Sequence, residues 1–386
     1  MKRISTIKLV VLGILGLVLP GLVYAGDSSA ESSSFEMRMP RGIARDLWLY
    51  FIPKENPMTA AKVELGRMLF FDQRLSVDGT VSCASCHDPM RAFTDGRTVA
   101  EGVGGRRGVR NSPTLLNAMF NTGQFWDGRA GSLEEQAKMP LTNADEMGNR
   151  SVEEVVSRIA SIPAYSRAFQ EVFGGPVSID GFARAVAAFE RTLVSGDAPI
   201  DAYLSGDAGA LSADARSGLG LFRGRARCGV CHALNQNFGA FATFPFFTDG
   251  NYRNTGVAAN FGGFNALARR AVAASRDEAD KAFGELKRHE RASELGRFVI
   301  SGNTLDIGAF RTPSLRNIEL TAPYFHDGSA ATLGDVVRYY VKGGNDNPNR
   351  DWQLEAVPLT EDEQHDLVEF LKALTSNDAR RAPERR

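Results

Sequence analysis

"RARCGVCHAL", residues 225–234, contains Cys228-Gly-Val-Cys231-His232. The spacing C-x-x-C-H is that of a haem attached through two thioether bonds, with the histidine binding the iron. One such box alone would also suit a redox dithiol or half of a zinc site. A second box, Cys83-Ala-Ser-Cys86-His87, stands 145 residues earlier, and the four cysteines of the chain are all used by the two boxes. No thiol is left for a disulfide or another metal site. Two covalently bound haems c are therefore expected, with His87 and His232 as iron ligands.

The boxes belong to a longer echo. "VELGRMLFFDQRLSVDGTVSCASCH" (63–87) and "ARSGLGLFRGRARCGVCH" (215–232) share a glycine, a Leu-Phe pair and an arginine ahead of the first cysteine. Such self-similarity indicates two haem modules in tandem. The small and turn-forming residues of "LSGDAGALSADA" (204–215) place the boundary between them, giving modules 26–208 and 209–375. Helical spacing dominates: Phe182, Val186, Phe189 and Leu193 form one stripe, and Leu367, Phe370, Leu371 and Leu374 another, the latter behind a Thr360/Glu363 capping box. Ser151 and Glu154 open a further helix in the same way, and no stretch alternates with period two. The Ala- and charge-rich segment 265–297 reads as a solvated helical insertion, and 376–386 as a basic disordered tail.

The N-terminus combines Lys2, Arg3 and Lys8 with an apolar run from Leu9 to Val23 that is broken by Gly13, Gly16, Pro20 and Gly21. This reads as an export signal, residues 1–25, rather than a membrane span, and implies a periplasmic location. Removing it takes the formal charge from −1 to −4. That balance points to neither nucleic acid nor an anionic membrane as partner.

Counting residues limits the iron ligands. The histidines are His87, His232, His289, His326 and His365, so none lies between the two box histidines. The first iron has Met90, Met119, Met139 and Met147 as candidates, or an open face where peroxide can bind. All nine methionines precede residue 148, so nothing after His232 can supply a thioether. For the second iron the candidates are His289, His326, His365, Tyr252, Tyr324, Tyr339 and Tyr340; His289 and His365 read better as solvated surface residues.

Two long blocks, "RNSPTLLNAMFNTGQFWDGRAGSLEEQAKMPLTNADEMG" (110–148) and "FRTPSLRNIELTAPYFHDGSAATL" (310–333), resemble the bacterial di-haem cytochrome c peroxidase family, nearer its MauG-like branch. The likeness runs from about Ala61 to Leu374. It implies a mostly α fold of two tandem cytochrome c-like haem domains with long loops, and a peroxidatic first haem. Carried over by position, Glu146 is the acid–base group and Gln136 orients peroxide. A carboxylate suits that role because one peroxide oxygen must lose a proton and the departing one must gain it. Pro140 lines the same pocket, and Trp126 in "QFWDGR" passes electrons or holes between the haems. Asn111, with backbone oxygens of Thr321 and Pro323, matches a calcium site between the modules. His326 in "PYFHDG" matches a histidine that tunes the second haem.

Two departures from the ordinary peroxidases bear on function. Val103 occupies the place of a histidine that caps the first iron until the other haem is reduced, so the first haem is expected to meet peroxide without reductive activation. Tyr340 in "ATLGDVVRYYVKGG" occupies the place of the methionine ligand of the second haem. A tyrosine oxygen favours more oxidised iron than a thioether does, so this haem would hold oxidising equivalents. The expected activity is reduction of hydrogen peroxide to water, with electrons from a small periplasmic cytochrome c or copper protein. The alternative is peroxide-driven oxidation of a partner protein's residues, such as Trp, as in the MauG-like branch. Against strict equivalence, the surface tryptophan of MauG just before its second box is matched by Ala226. A plain electron carrier is disfavoured by the lack of a secure second His or Met ligand, and a homodimer is left open.

Overall fold

Each module closes at the glycine shared by the two echoing segments. The structure is a computed structural model that describes residues 35–234, 246–276, 284, 286, 289 and 291–380. Its longer helices are α1 (Ala60–Phe71), α2 (Leu133–Thr142), α3 (Val152–Ala160), α4 (Pro163–Phe173), α5 (Ile179–Glu190), α6 (Ala213–Arg223), α7 (Phe264–Arg276), α8 (Leu333–Val341) and α9 (Glu361–Lys372). In the first module α1 crosses α5, and a Cβ on Gly66 would run into the carbonyl of Ala185. In the second, α6 crosses α9, with Gly218 against the carbonyl of Asp366. A side chain at either glycine would hold the helices apart and open the core.

The cores grow from these crossings. Leu65, Leu69, Phe70, Phe182, Val186 and Phe189 are buried in the first, and Leu219, Phe222, Leu367, Phe370, Leu371 and Leu374 in the second. Full burial of each such side chain contributes about 1.5–3 kcal/mol. The capping side chains act as their spacing predicts: Ser151 accepts from the Glu154 amide, and Thr360 and Glu363 form a reciprocal box. Extended structure is confined, among the described residues, to β1 (Tyr252–Arg253) and β2 (Phe310–Arg311), paired antiparallel with Tyr252 opposite Arg311, plus isolated bridges.

A second repeat, at a constant offset of 200 residues, governs the chain downstream of each box. Pro113, Leu115, Asn117, Phe125, Asp127, Gly128, Ala130 and Leu133 recur as Pro313, Leu315, Asn317, Phe325, Asp327, Gly328, Ala330 and Leu333. The backbone repeats with them. Asn117 and Asn317 take φ of 63° and 61°, Phe125 and Phe325 of 65° and 70°, and the Gln124–Ala130 bridge returns as Tyr324–Ala330. Ser132 caps α2 as Thr332 caps α8. Hence Gln136 corresponds to Val336, Pro140 to Tyr340, Trp126 to His326 and Asn111 to Arg311.

The structure differs from the sequence expectation in three places. Ala198 and Ile200, placed by sequence in the first module, pack into the second core, and Asp201 makes a buried two-pronged salt bridge with Arg316 at 2.6 and 2.7 Å. The segment expected to be a solvated insertion begins with α7, whose Phe264, Leu267, Ala268 and Ala271 are buried in a cluster against which Trp126 packs. Its alanines form an apolar face as readily as larger residues where helices approach closely. Of the tail expected to be disordered, Ser376 is buried and Asn377–Arg380 forms a helical turn, with Arg380 donating to Glu319 at 2.5 Å. Residues 381–386, the export signal 1–25 and most of 277–290 lie outside the described residues. No helix among the described residues is long and apolar enough to cross a membrane.

Candidate active site

Both boxes present their histidine in one way. His87 Nδ1 lies 3.1 Å from the carbonyl oxygen of Phe93, and His232 Nδ1 lies 2.8 Å from that of Phe247. Phe93 and Phe247 adopt left-handed φ of 58° and 55°, a conformation held against a cost of about 1–3 kcal/mol by its surroundings. With Nδ1 donating to a carbonyl, Nε2 is the nitrogen left for a metal, and burial lowers both imidazole pKa values so that they stay neutral.

The thiols lie in buried surroundings that suit thioether attachment. Burial pushes Cys83 and Cys228 up to about 12 and Cys86 up to about 11. A zinc site or reactive dithiol needs thiolates near neutral pH. Among the described residues no three His, Cys, Asp or Glu side chains converge as a metal cluster. Each pair of cysteines instead precedes a buried histidine whose Nδ1 is held by a carbonyl, an arrangement that suits a haem.

A large apolar cavity opens on the second box, with Cys228, Cys231 and His232 among its lining and Phe325 and Tyr340 in α8's neighbourhood completing it. Burial, then Tyr339, pushes the Tyr340 phenol well above its usual range, while Thr255 draws it the other way. Tyr339 is turned aside, its ring at 87° to that of Tyr340; its hydroxyl donates to Thr255 at 2.9 Å and accepts from the Asn345 amide at 3.2 Å. Tyr324 lines the cavity too. His365 is solvated, 4.0 Å from Asp214, and His289 accepts from the Arg291 amide. Tyr252 lies beneath the Arg297 guanidinium, 4.6 Å away.

Trp126, His326, Asn111, Thr321 and Pro323 line this cavity as well, although they come from both modules. The Trp126 indole donates to the Asn111 carbonyl at 2.9 Å, and the Asn111 amide donates to the His326 carbonyl at 2.9 Å. His326 is stacked on Phe310 at 3.6 Å, with Nε2 3.1 Å from Glu294. Glu294 also receives Arg110 at 2.9 Å, so a buried Arg–Glu–His chain joins the modules beside Trp126. Asn111 Nδ2 donates to the Arg97 carbonyl at 2.8 Å, which leaves Oδ1 as a free acceptor among the described residues.

Glu146, Gln136 and Pro140 gather elsewhere, after the first box. Gln136 and Pro140 are one turn apart on α2, and proline offers no N–H to the Gln136 carbonyl. Glu146 lies in the turn beyond, receiving Asn143 Nδ2 at 2.7 Å; the loop at Gly102 and Val103 presses on its backbone, with the Val103 amide 2.9 Å from its carbonyl. Burial raises the Glu146 carboxyl pKa above the ordinary range, against the pull of Arg129 and Asn143. Of the methionine candidates, Met119 and Met147 are core residues and Met90 and Met139 are exposed.

Residues 60–209 match the family described as di-haem cytochrome c peroxidase. The methylamine utilization protein MauG of Methylorubrum extorquens is 39% identical over 329 residues, covering 85% of this chain and 82% of that protein. This chain belongs to the di-haem cytochrome c peroxidase family. Cytochrome c551 peroxidase of Nitrosomonas europaea is 38% identical over 323 residues, covering 83% of the chain and 82% of the relative. A solved MauG-like protein associated with microbial copper homeostasis has 33% identity and a TM-score of 0.70, covering 90% of this chain and 95% of its own. Membership makes the protein a haem oxidoreductase of two cytochrome c-like domains, mostly helical.

Three features of this chain escape sequence reading. Arg311, 7% exposed, lines the second cavity; its guanidinium has Asn121 Oδ1 at 2.9 Å and the Phe125 carbonyl at 3.5 Å as its hydrogen-bond partners among the described residues, and burial lowers it to about 10. Trp352 is 79% exposed, yet Asp351 and Gln353 on either side line the cavity and are both bound by Arg253. Glu355 ties the same loop to Arg227, next to the box. The third, Glu190, is buried in the first core. Only the 200-residue register carried a signal, for Arg311 opposite Asn111.

Proposed function

We propose that this di-haem peroxidase reduces hydrogen peroxide to water at the haem of the first box, using electrons that reach it through the second from a small periplasmic cytochrome c or copper protein. The observation that carries this reading is the register of the modules. Where the second cavity is lined by the Tyr340 phenol, the first module has in register Pro140, whose side chain carries no ligand atom, and a carboxyl with a raised pKa follows at Glu146. One module would thus offer its haem the Tyr340 oxygen as well as the box histidine, and the other would offer the box histidine together with a proton-handling carboxyl at Glu146. Bound haem supplies the redox-active iron at which the peroxide O–O bond is reduced. Glu146 takes the proton from the entering peroxide and returns it to the departing oxygen. Gln136, on the same face of α2 as Pro140, orients peroxide by hydrogen bonding.

Trp126 serves as the link between the haems, held at its indole N–H by Asn111. Asn111 Oδ1 and the carbonyl oxygens of Thr321 and Pro323 hold calcium at the junction; three oxygen donors on one cavity suit a hard cation completed by water. His326 and its Glu294 partner tune the second haem. Export through residues 1–25 delivers the chain to the periplasm, where the haems are attached.

The test is steady-state peroxide consumption with reduced small cytochrome c. Fast turnover is expected, and its absence together with long-lived oxidised haem would favour oxidation of a partner protein. Tyr340 and the exposed Trp352 beside the second cavity support that second reading.

A further inference from the structure

Glu190, the last residue of α5, is 4% exposed, and its Oε2 is fully buried with no hydrogen-bond partner. No ion pair or hydrogen bond holds either oxygen among the described residues. An ionised carboxyl in such a place is costly unless something compensates its charge. Its charged surroundings come from every helix packed on α5. Arg191, next in sequence, pairs with Glu134 of α2 at 2.8 Å and makes no hydrogen bond to Glu190, although its own buried Nε also lacks a partner. Lys62 of α1 is bound to Asn56 Oδ1 at 3.0 Å and the Pro57 carbonyl at 2.6 Å, and Arg184 of α5 acts on Lys62. Glu190 also stands close enough to Cys83 of the first box for its charge to be felt there more than any influence except burial.

The repeat shows what kind of place this is. Gly66 faces Ala185 and Phe189 as Gly218 faces Asp366 and Phe370, and the amides of Asn117 and Asn317 bind the carbonyls of Leu193 and Leu374. Glu190 therefore corresponds to Leu371, which lines the second haem cavity. By this register a carboxyl stands in the first module where the second has an aliphatic side chain on its cavity wall.

We propose that Glu190 is a further functional residue of the reaction, a proton-holding group whose carboxyl takes up one proton when the first haem takes up one electron, and releases it when that electron leaves. The electron comes from the reduced redox partner and the proton from solvent water, so charge in the pocket is conserved in each direction. Adding the electron removes a positive charge that favours the carboxylate, and the carboxylate then binds a proton. Burial, reinforced by Glu134 and opposed by Arg191, pushes the carboxyl up to about 8, within the range where such exchange occurs. The inference rests on the reading of residues 83–87 as the first haem site, and needs no peroxide chemistry.

The experiment is a spectroelectrochemical titration of the loaded protein from pH 6 to pH 10, without peroxide, following each haem by its spectrum. The first haem's reduction equilibrium should fall roughly tenfold per pH unit, about 59 mV for a one-electron couple, between the carboxyl's oxidised-state and reduced-state pKa values. Glu190→Gln and Glu190→Leu, the latter restoring the residue type at Leu371, should flatten that slope with both haems still attached. Glu146→Gln should keep it. A slope that survives both Glu190 variants, that vanishes in Glu146→Gln, or that is absent from the unaltered protein would overturn the assignment. Peroxide turnover measured separately tests the proposed activity, so either can fail without the other.

Discussion

Glu146 and Tyr340 are the single side chains on which the proposed difference between the two haem sites rests. The Glu146 carboxyl works as a base only when ionised, and burial raises its pKa, so peroxide reactivity should rise with pH through a midpoint above the usual carboxylate range. Glu146→Gln keeps the shape and the contact with Asn143 but cannot accept a proton. It should slow the first oxidised species by roughly 10²-fold or more in stopped-flow mixing, and abolish that pH dependence; near-unchanged rates would remove Glu146 from the role. Tyr340→Phe removes the only oxygen of that side chain while keeping its ring against Phe325, 6.1 Å away between centroids. The second haem should then lose its low-spin spectrum for a five-coordinate or water-bound one. An unchanged spectrum would pass the role to Tyr324, which also lines the cavity, whereas the Tyr339 ring is turned away.

At the scale of elements, the crossed pairs α1–α5 and α6–α9 are what hold a box histidine against its carbonyl partner. Gly218→Val would force α6 away from Asp366, and overpacking of this kind costs about 1–3 kcal/mol. The urea midpoint should fall accordingly, while Gly220→Ala, on the open face of the same helix, should raise it slightly, since alanine favours a helix interior over glycine by about 1 kcal/mol. These helices are legible in the sequence because their apolar stripes and caps are local: Phe182, Val186 and Phe189, or Thr360 with Glu363, declare themselves within a few residues. The burial of α7 is not legible, for the converse reason. Ala268 and Ala271 give no stripe in a hydropathy pattern, and their burial depends on Phe298 and Phe310, which arrive later in the chain. The 200-residue register is hidden because the positions that matter most, Pro140 and Tyr340 or Asn111 and Arg311, are those where the modules diverge. Glu190 gives no sign at all, since an acid ending an amphipathic helix is ordinarily solvated.

For the whole molecule, the proposed electron route through both haems has to reach the surface, and the exposed Trp352 beside the second cavity is the place proposed for a partner to meet it. Its ring is 79% exposed, an unfavourable place for an indole, yet its loop is pinned by Arg253 to Asp351 and Gln353 and by Arg227 to Glu355. A loop tied down on both sides of an exposed tryptophan fixes that ring at the rim of the second haem cavity rather than letting it fold away. Exposed aromatic side chains of this sort commonly anchor protein contacts. Sequence could not place it there, because residue 352 is far from the box at 228–232 and joins it only through Arg227 and Glu355. Trp352→Ala should therefore leave both haem spectra and peroxide consumption with a small-molecule electron donor unchanged. With reduced small cytochrome c as donor, the same variant should show kcat/KM lowered about tenfold, mainly through KM, as expected for loss of about 1.4 kcal/mol of contact. Equal loss with both donors would place the effect inside the haem path, and no loss with either would mean that partners approach the second haem over another face.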